Sequence, residues 1–394
     1  MEEILQTQML MLLRGALNEQ MLTVDTPPDI PQLAKEAARH GIENMLFFGV
    51  RAAGVDKNDP QMKTLLHTVG RHIFITENQI AEANAVCAAF DKAGIAYLPV
   101  KGMVLRELYP SADMRTMGDV DILIREQQIP QIKELLTSLG FTFVLESVHE
   151  YVWEKKGVLY LELHKSLFAE YETDVFPVFG SGWELAIAPE SGCHYTLSPE
   201  DHFLYVFVHF AKHYRGGGIG LRHLSDIVIC LRNGGIKNWQ YVEQQLQRVQ
   251  MLEFYKNVRA AIDEWLGDGP LSEKSAFILR QIWTSGVYGT PEAHRTADAE
   301  RATTGSLKMA KANRIQKLLF PSRLDMALQY PVLKKVPVLL PFFWVVRFVR
   351  VALFRPGQAV SRSKGLHDVS VEDIRDRQQA LRYVGLSPMA DRHK

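Results

Sequence analysis

The residues best suited to chemistry lie in Gly118-Asp-Val-Asp-Ile-Leu-Ile124 and Tyr160-Leu-Glu-Leu-His164. Along a strand side chains alternate faces, so Asp119 and Asp121 point one way while Val120 and Ile122 pack behind. Carboxylates only ~7 Å apart on one strand face repel unless a cation lies between them. A pair of Mg2+ ions held by such acids can grip a nucleoside triphosphate, with further oxygens from phosphate and water. Glu162 offers a third carboxylate: Tyr160, Glu162 and His164 share one face of the second segment, and Leu161 and Leu163 the other. An isolated Asp-x-Asp is as readily the polar outer face of an ordinary strand. A second acidic, apolar-backed strand and an upstream glycine turn favour a metal site.

The elements that must position these acids read as follows. Residues 1–85 form an N-terminal helical region, with apolar spacings of three and four around Met9–Leu17 and Ile30–Ile42 and a break at Pro27-Pro28. A long helix is expected from about Met62 to Lys92, ending near Gly94. Ile95–Val100 reads as a buried strand, Met103–Leu108 as a short helix, and Val120–Ile124 as a second strand. Gln128–Leu139 is an amphipathic helix closed by Gly140. Phe141–Leu145, Tyr151–Glu154 and Val158–Leu163 complete the strands of an α/β domain over 86–185. A helical domain over 186–330 opens at the capping sequence Ser198-Pro-Glu-Asp201. The polar segment 284–307 is expected to be a mobile loop. A C-terminal helical extension, 331–394, holds a capping box at Ser370–Asp373 and a stop at Gly385. The fold class is thus α+β, a mixed sheet with helices between helical flanks.

Lys plus Arg and Asp plus Glu both number 45, so no net charge draws the chain to nucleic acid or membrane. Cys87, Cys193 and Cys230 lie far apart without a CxxC pair, which excludes a disulfide framework and a zinc-binding cysteine set. Acidic Glu2 and Glu3 are wrong for a secretory signal. The apolar run Val336–Val346 is short and holds Pro337 and Pro341, whereas a span needs ~20 residues. These features predict a cytoplasmic protein without integral membrane association. On a helix, Arg347, Arg350 and Arg355 fall within about a third of the circumference. The remaining apolar face is expected to pack against the helical domain rather than lie on a membrane.

The run Leu98-Pro-Val-Lys-Gly-Met103, with Tyr109, Arg115, Asp119-Val-Asp121 and Leu161-Glu-Leu-His164, resembles the bacterial uncharacterised nucleotidyltransferase family. That family belongs to the DNA polymerase β-like superfamily. The resemblance extends through Leu197–Asp201, His209–His213, Leu221–Asp226 and the 320–355 stretch. It implies a polymerase-β-like sheet, with Asp119, Asp121 and Glu162 as catalytic metal ligands for Mg2+ or Mn2+. It also implies that Gly102 lets the backbone approach the triphosphate, where a Cβ would intrude. One departure stands out: Met103 occupies the place where the superfamily usually has a phosphate-binding serine. Lys101 then becomes the candidate phosphate contact, as a point charge.

Two roles stay open for Arg115, bidentate phosphate binding or a surface ion pair. His164 either contacts nucleotide, orients Glu162, or packs as a strand histidine. His149 is a weaker candidate. His209 and His213 stand one helical turn apart without the Glu of a zinc protease and read as structural or substrate-lining. Lys212, Arg222 and Asp226 are candidates for lining the cleft, and Asp226 equally for pairing with an arginine. The expected reaction is Mg2+-dependent transfer of NMP from an NTP, ATP included, to an acceptor, releasing pyrophosphate. The acceptor is a small molecule, a protein side chain or an RNA end. Two other readings remain: a toxin or defence enzyme acting on tRNA ends, and a sensor that binds nucleotide without transfer.

Overall fold

The computed structural model describes residues 2–24, 26–170, 172–267, 269–287, 289–301, 320, 326, 330, 332–354 and 369–388. The chain divides into two compact units, Met1–Ala211 with Ile219–Tyr288, and Lys212–Gly218 with Gly289–Lys394.

The first unit opens with α1 (Glu2–Asn18), α2 (Ile30–His40), α3 (Glu43–Ala52) and the 34-residue α4 (Pro60–Ala93). The ends of α4 follow from local chemistry. Asp59 accepts from the amides of Gln61 and Met62, Pro60 presets the first helical φ, and Gly94 closes the helix at φ 68°. Then come β1 (Tyr97–Val100), α5 (Gly102–Leu105), β2 (Val120–Ile124), α6 (Ile129–Ser138), β3 (Thr142–Glu146), β4 (Glu150–Lys155) and β5 (Leu159–His164). The first strand is shorter than its apolar run suggests. Ile95 donates to the Phe90 carbonyl and Ala96 to Gln128, so both amides are committed before the ladder begins.

The five strands lie in the order β1-β2-β5-β4-β3. Only β2 and β5 run parallel; the other neighbours are antiparallel. Pro99, which has no amide to give a ladder, is tolerated because β1 lies at an edge. One face of the sheet is apolar: Val120, Ile122 and Ile124 of β2 join Leu159, Leu161 and Leu163 of β5. These pack on Ala83, Val86 and Phe90 of α4 and on Ile132 and Leu136 of α6. Each such large side chain contributes roughly 1.5–3 kcal/mol when fully buried. The other face carries Asp121, Glu162 and His164. The sheet with flanking helices bears out the α+β reading.

After α7 (Phe176–Phe179), α8 (Pro199–Gly216) starts where expected, with Ser198 accepting from the Asp201 amide. Then follow α9 (Leu221–Asn233), α10 (Trp239–Arg248), α11 (Leu252–Leu266) and α12 (Glu273–Ser285).

Residues 284–301 correct the expectation of a loop. Within the segment expected to be a loop, residues 284 and 285 end α12, and Pro291–Arg301 form a helix, α13. Thr290 accepts from the Ala293 amide, Pro291 sits at the first position, and Ala297 and Glu300 are buried. The buried face uses Thr, Ala and Glu, so no apolar stripe announces it. Residues 302–307 of that segment lie outside the described ones. Farther on come α14 (Val332–Lys335), α15 (Leu340–Phe354) and α16 (Val371–Tyr383). The capping box of Ser370 and Asp373 is present, and Gly385 takes φ 81°. Leu340, Phe343 and Trp344 pack around Tyr330, Met326 and Leu333. Phe342 and Val345, by contrast, are each 61% exposed, so the apolar circumference of α15 is only partly covered. Arg355 lies outside the described residues.

Candidate active site

Strand register assembles the site. Asp121 stands opposite Val100 across the β1–β2 ladder and opposite Glu162 across the β2–β5 ladder. Lys101, the next residue after Val100, sends its ammonium to Asp121 Oδ1 at 2.6 Å. His164 approaches the same oxygen with Nε2 at 2.7 Å and lies 3.9 Å from Glu162. Because a carboxylate oxygen only accepts, the histidine Nε2 carries the proton there. His164 Nδ1 faces His149 Nε2 at 3.2 Å, and the two rings are 4.9 Å apart.

Asp121 and His164 are buried, whereas Glu162 is half-buried. Burial alone would raise the Asp121 pKa, but Lys101 and His164 outweigh it and hold the carboxyl well below the usual range. Lys101 shows the mirror effect: burial works against its charge, yet Asp121 drives its pKa upward. Tyr205 of α8, fully buried, lies beside the ammonium, and burial raises its phenol pKa. At Glu162 the Lys101 charge is outweighed. Desolvation, then the charges of Asp121 and Asp119, push its pKa up to about 8.

Asp121, Glu162 and His164 bring one ligand atom each within 4.8 Å of one another. Asp119 stands outside that group. It precedes the first β2–β5 pair, Val120 with Leu161, and it is exposed. Solvent reaches Asp119, but the protein around it desolvates the carboxylate and, with Asp121, raises its pKa; Lys101 and Arg222 oppose this. A second group, His149, Glu150 and His164, shares His164 with the first.

Three candidates are placed differently from the simplest reading of the sequence. Arg115 is in an ion pair, and it is buried: Nε and the second terminal nitrogen meet the two oxygens of Asp226 at 2.8 and 3.1 Å. Tyr109 donates to the same carboxylate at 2.8 Å. Arg115 thereby fastens the segment leading to Asp119 onto α9, and Asp226 takes the arginine-pairing role. His164 contacts Asp121 most closely, so it orients Asp121 rather than Glu162. At Gly102 an added Cβ would meet only ordinary contact, 3.5 Å from Met117 Cγ. The strained residue is its neighbour: Lys101 has φ 50° and ψ −117°, a region that only glycine enters freely. Nothing in a lysine signals such a backbone. Tyr205 was equally hidden, inside the apolar run Phe203–Phe207.

Residues 26–267 match the sequence profile of the family described as "Uncharacterised nucleotidyltransferase", and the chain belongs to that family. Its general role is therefore nucleotidyl transfer. Among curated proteins nothing matches significantly. Among solved structures the chain is similar to the antibiotic-resistance factor ANT(2'')-Ia, studied in solution for its substrate-regulated conformation dynamics. The two are 12% identical over 48% of this chain and 97% of the other, with a TM-score of 0.33. No helix among the described residues is long and apolar enough to cross a membrane.

Proposed function

We propose that this protein is a divalent-metal-dependent nucleotidyltransferase of polymerase-β-like fold, moving NMP from an NTP to an acceptor hydroxyl or phosphate. The observation that carries the reading is the in-register pair Asp121 and Glu162, with His164 and Lys101 converging on Asp121. The donor set fits a hard cation: Asp121, Glu162 and Asp119 supply oxygens, and burial followed by mutual repulsion with Asp121 raises the pKa of Glu162 and of Asp119, a repulsion that a bound cation would relieve. When bound there, Mg2+ or Mn2+ would supply Lewis acidity to the phosphate oxygens.

In this reading an acceptor oxygen attacks the α-phosphorus, the bond to the bridging oxygen breaks, and pyrophosphate leaves with that electron pair. Glu162, once ionised, accepts the acceptor proton. His164 holds Asp121 in orientation through Nε2–H. Lys101 neutralises Asp121 in the resting protein and turns its charge to the departing pyrophosphate during transfer. A cytoplasmic setting, where NTPs are abundant, belongs to the same reading.

The test incubates purified protein with Mg2+, each radiolabelled NTP and a cell extract, followed by mass spectrometry of labelled products. Label on one acceptor class, lost in Glu162→Gln, supports the proposal. Tight Mg2+–NTP binding without transfer to any acceptor would instead establish a sensor. Label confined to tRNA ends would mark a tRNA-modifying enzyme.

A further inference from the structure

His149 takes no part in the proposed transfer, yet the fold sets its ring against His164, on the side away from Asp121. The turn between β3 and β4 is tied by Ser147, whose hydroxyl accepts from the amides of His149 and Glu150 at 3.1 and 3.0 Å. The Lys165 amide donates to the His149 carbonyl at 2.9 Å, and Glu150 stands opposite His164 across the β4–β5 ladder. These bonds gather two imidazoles and a carboxylate at one end of the strand pair. His149 Nε2 lies 3.2 Å and Glu150 Oε2 3.8 Å from His164 Nδ1. One ligand atom from each of the three residues falls within 4.8 Å of the others.

His164 is prepared as a ligand by its second nitrogen. With the proton on Nε2, donated to Asp121, Nδ1 presents a lone pair. A metal-ligating histidine characteristically gives its other N–H to a carboxylate, which fixes the tautomer and makes the ligating nitrogen more basic. Asp121 is that carboxylate. Adjacent nitrogens in a tetrahedral site with Zn–N of ~2.0–2.1 Å lie ~3.3 Å apart, and the two rings already stand near that separation. An ion there requires His149 to carry its hydrogen on Nδ1, leaving Nε2 to ligate. The Glu150 side chain is partly exposed, so a change of rotamer brings its carboxylate in. Two imidazoles and one carboxylate select a transition ion such as Zn2+ over Mg2+, which favours oxygen ligands and keeps several waters. We infer that His149, Glu150 and His164 form a transition-metal site, with one coordination position open to water or to an oxygen of a bound molecule. It is distinct from the oxygen ligands of β2 and β5, and it stands whether or not the protein transfers nucleotide.

The experiment titrates CoCl2 into the untagged full-length protein, stripped with EDTA and then held in excess Mg2+ to occupy the oxygen site. The intense visible absorption of four-coordinate cobalt should appear, saturate at one ion per chain, and bleach when ZnCl2 is added. His149→Ala and Glu150→Gln should each weaken cobalt binding about 100-fold or more, at least the scale of losing a partner in the outer shell. Glu162→Gln should bind cobalt like wild type, because Glu162 belongs to the other group of ligands. Melting temperatures in EDTA verify that the variants fold. Glu150→Gln, nearly isosteric and partly exposed, keeps the test decisive should His149→Ala fail to fold. Absence of the band in wild type, or cobalt affinity unchanged in Glu150→Gln or in a folded His149→Ala, would overturn the inference. So would loss of the band in Glu162→Gln, which would put the ion among Asp121, Glu162 and His164.

Discussion

Lys101 and Asp121 form an ion pair of 2.6 Å at a point where the lysine backbone is strained, at φ 50° and ψ −117°. Strain of order 1–3 kcal/mol persists only where the surroundings over-determine it. Here β1 fixes Val100 opposite Asp121, and the ammonium is drawn to the carboxylate one residue later.

Replacing Lys101 therefore separates backbone from charge. Lys101→Ala should lower nucleotidyl transfer about 100-fold, the scale of losing one preorganised charge-stabilising group. Lys101→Arg should rescue only part of this. Lys101→Gly should transfer as poorly as the alanine variant but melt higher, because glycine accepts the conformation without strain. Lys92→Ala, on α4, serves as the control. Wild-type transfer rates in Lys101→Ala would remove the phosphate role.

The acids should respond in opposite senses. Asp121→Asn leaves the Lys101 ammonium without its counter-charge and should destabilise the metal-free protein by about 1–3 kcal/mol, a value reduced for partial solvent access. Glu162→Gln removes a carboxyl already repelled by Asp119 and Asp121, so stability in EDTA should hold or rise slightly. Both variants should lose the rise in melting temperature that Mg2+ or Mn2+ gives wild type. Denaturant titrations with and without metal measure all of this, and a Glu162→Gln protein still stabilised by metal would place the cation elsewhere.

The buried pair Arg115–Asp226 should behave as a structural clamp. Removing one partner, as in Asp226→Leu or Arg115→Met, should cost about 3–5 kcal/mol, since it strands a buried charge. The double variant Arg115→Met, Asp226→Leu should recover a good part of that loss. Additive losses in the double-mutant cycle would mean the two groups do not act on each other.

Acid should destabilise the fold through two buried histidines. Burial lowers the pKa of His40 to about 3, with Arg39 adding to the effect, and that of His202 to about 4. The unfolded chain takes up these protons near ~6.5 and the native one does not. Their contribution is thus complete above that pH and is lost as pH falls toward the native values. His202→Leu should flatten the acid limb of stability by about 1.4 kcal/mol per pH unit between roughly 4 and 6.5. An identical limb in wild type and variant would show that His202 is already charged in the native state.

The sequence displays what short range determines. β2 begins and ends where its apolar alternation does, and Asp59, Gly94 and Ser370 mark helix ends through their own side chains or the lack of one. The acids of β2 and β5 were legible as one site because period-two patterning places each on the polar face. What stayed hidden depends on distance or on backbone. Arg115 finds Asp226 across 111 residues, a pairing no local pattern encodes. Tyr205 reaches the site from inside an aromatic run that reads as core. The helix α13 buries threonine, alanine and glutamate, so its pattern resembles that of an open loop.

The position of Asp119 just ahead of the β2–β5 ladder has a consequence for timescales. Asp121 and Glu162 sit on hydrogen-bonded strands in the middle of the sheet, whose amides open only with the cooperative loss of surrounding structure. Asp119 lies one residue ahead of the first ladder pair and is exposed, so its side chain can change rotamer within the fast range of surface groups. The site thus joins two slow arms to one quick one. Under the proposed metal-binding role, such a set would adjust to cations of different radius by moving a single carboxylate, without disturbing the sheet that holds the other two.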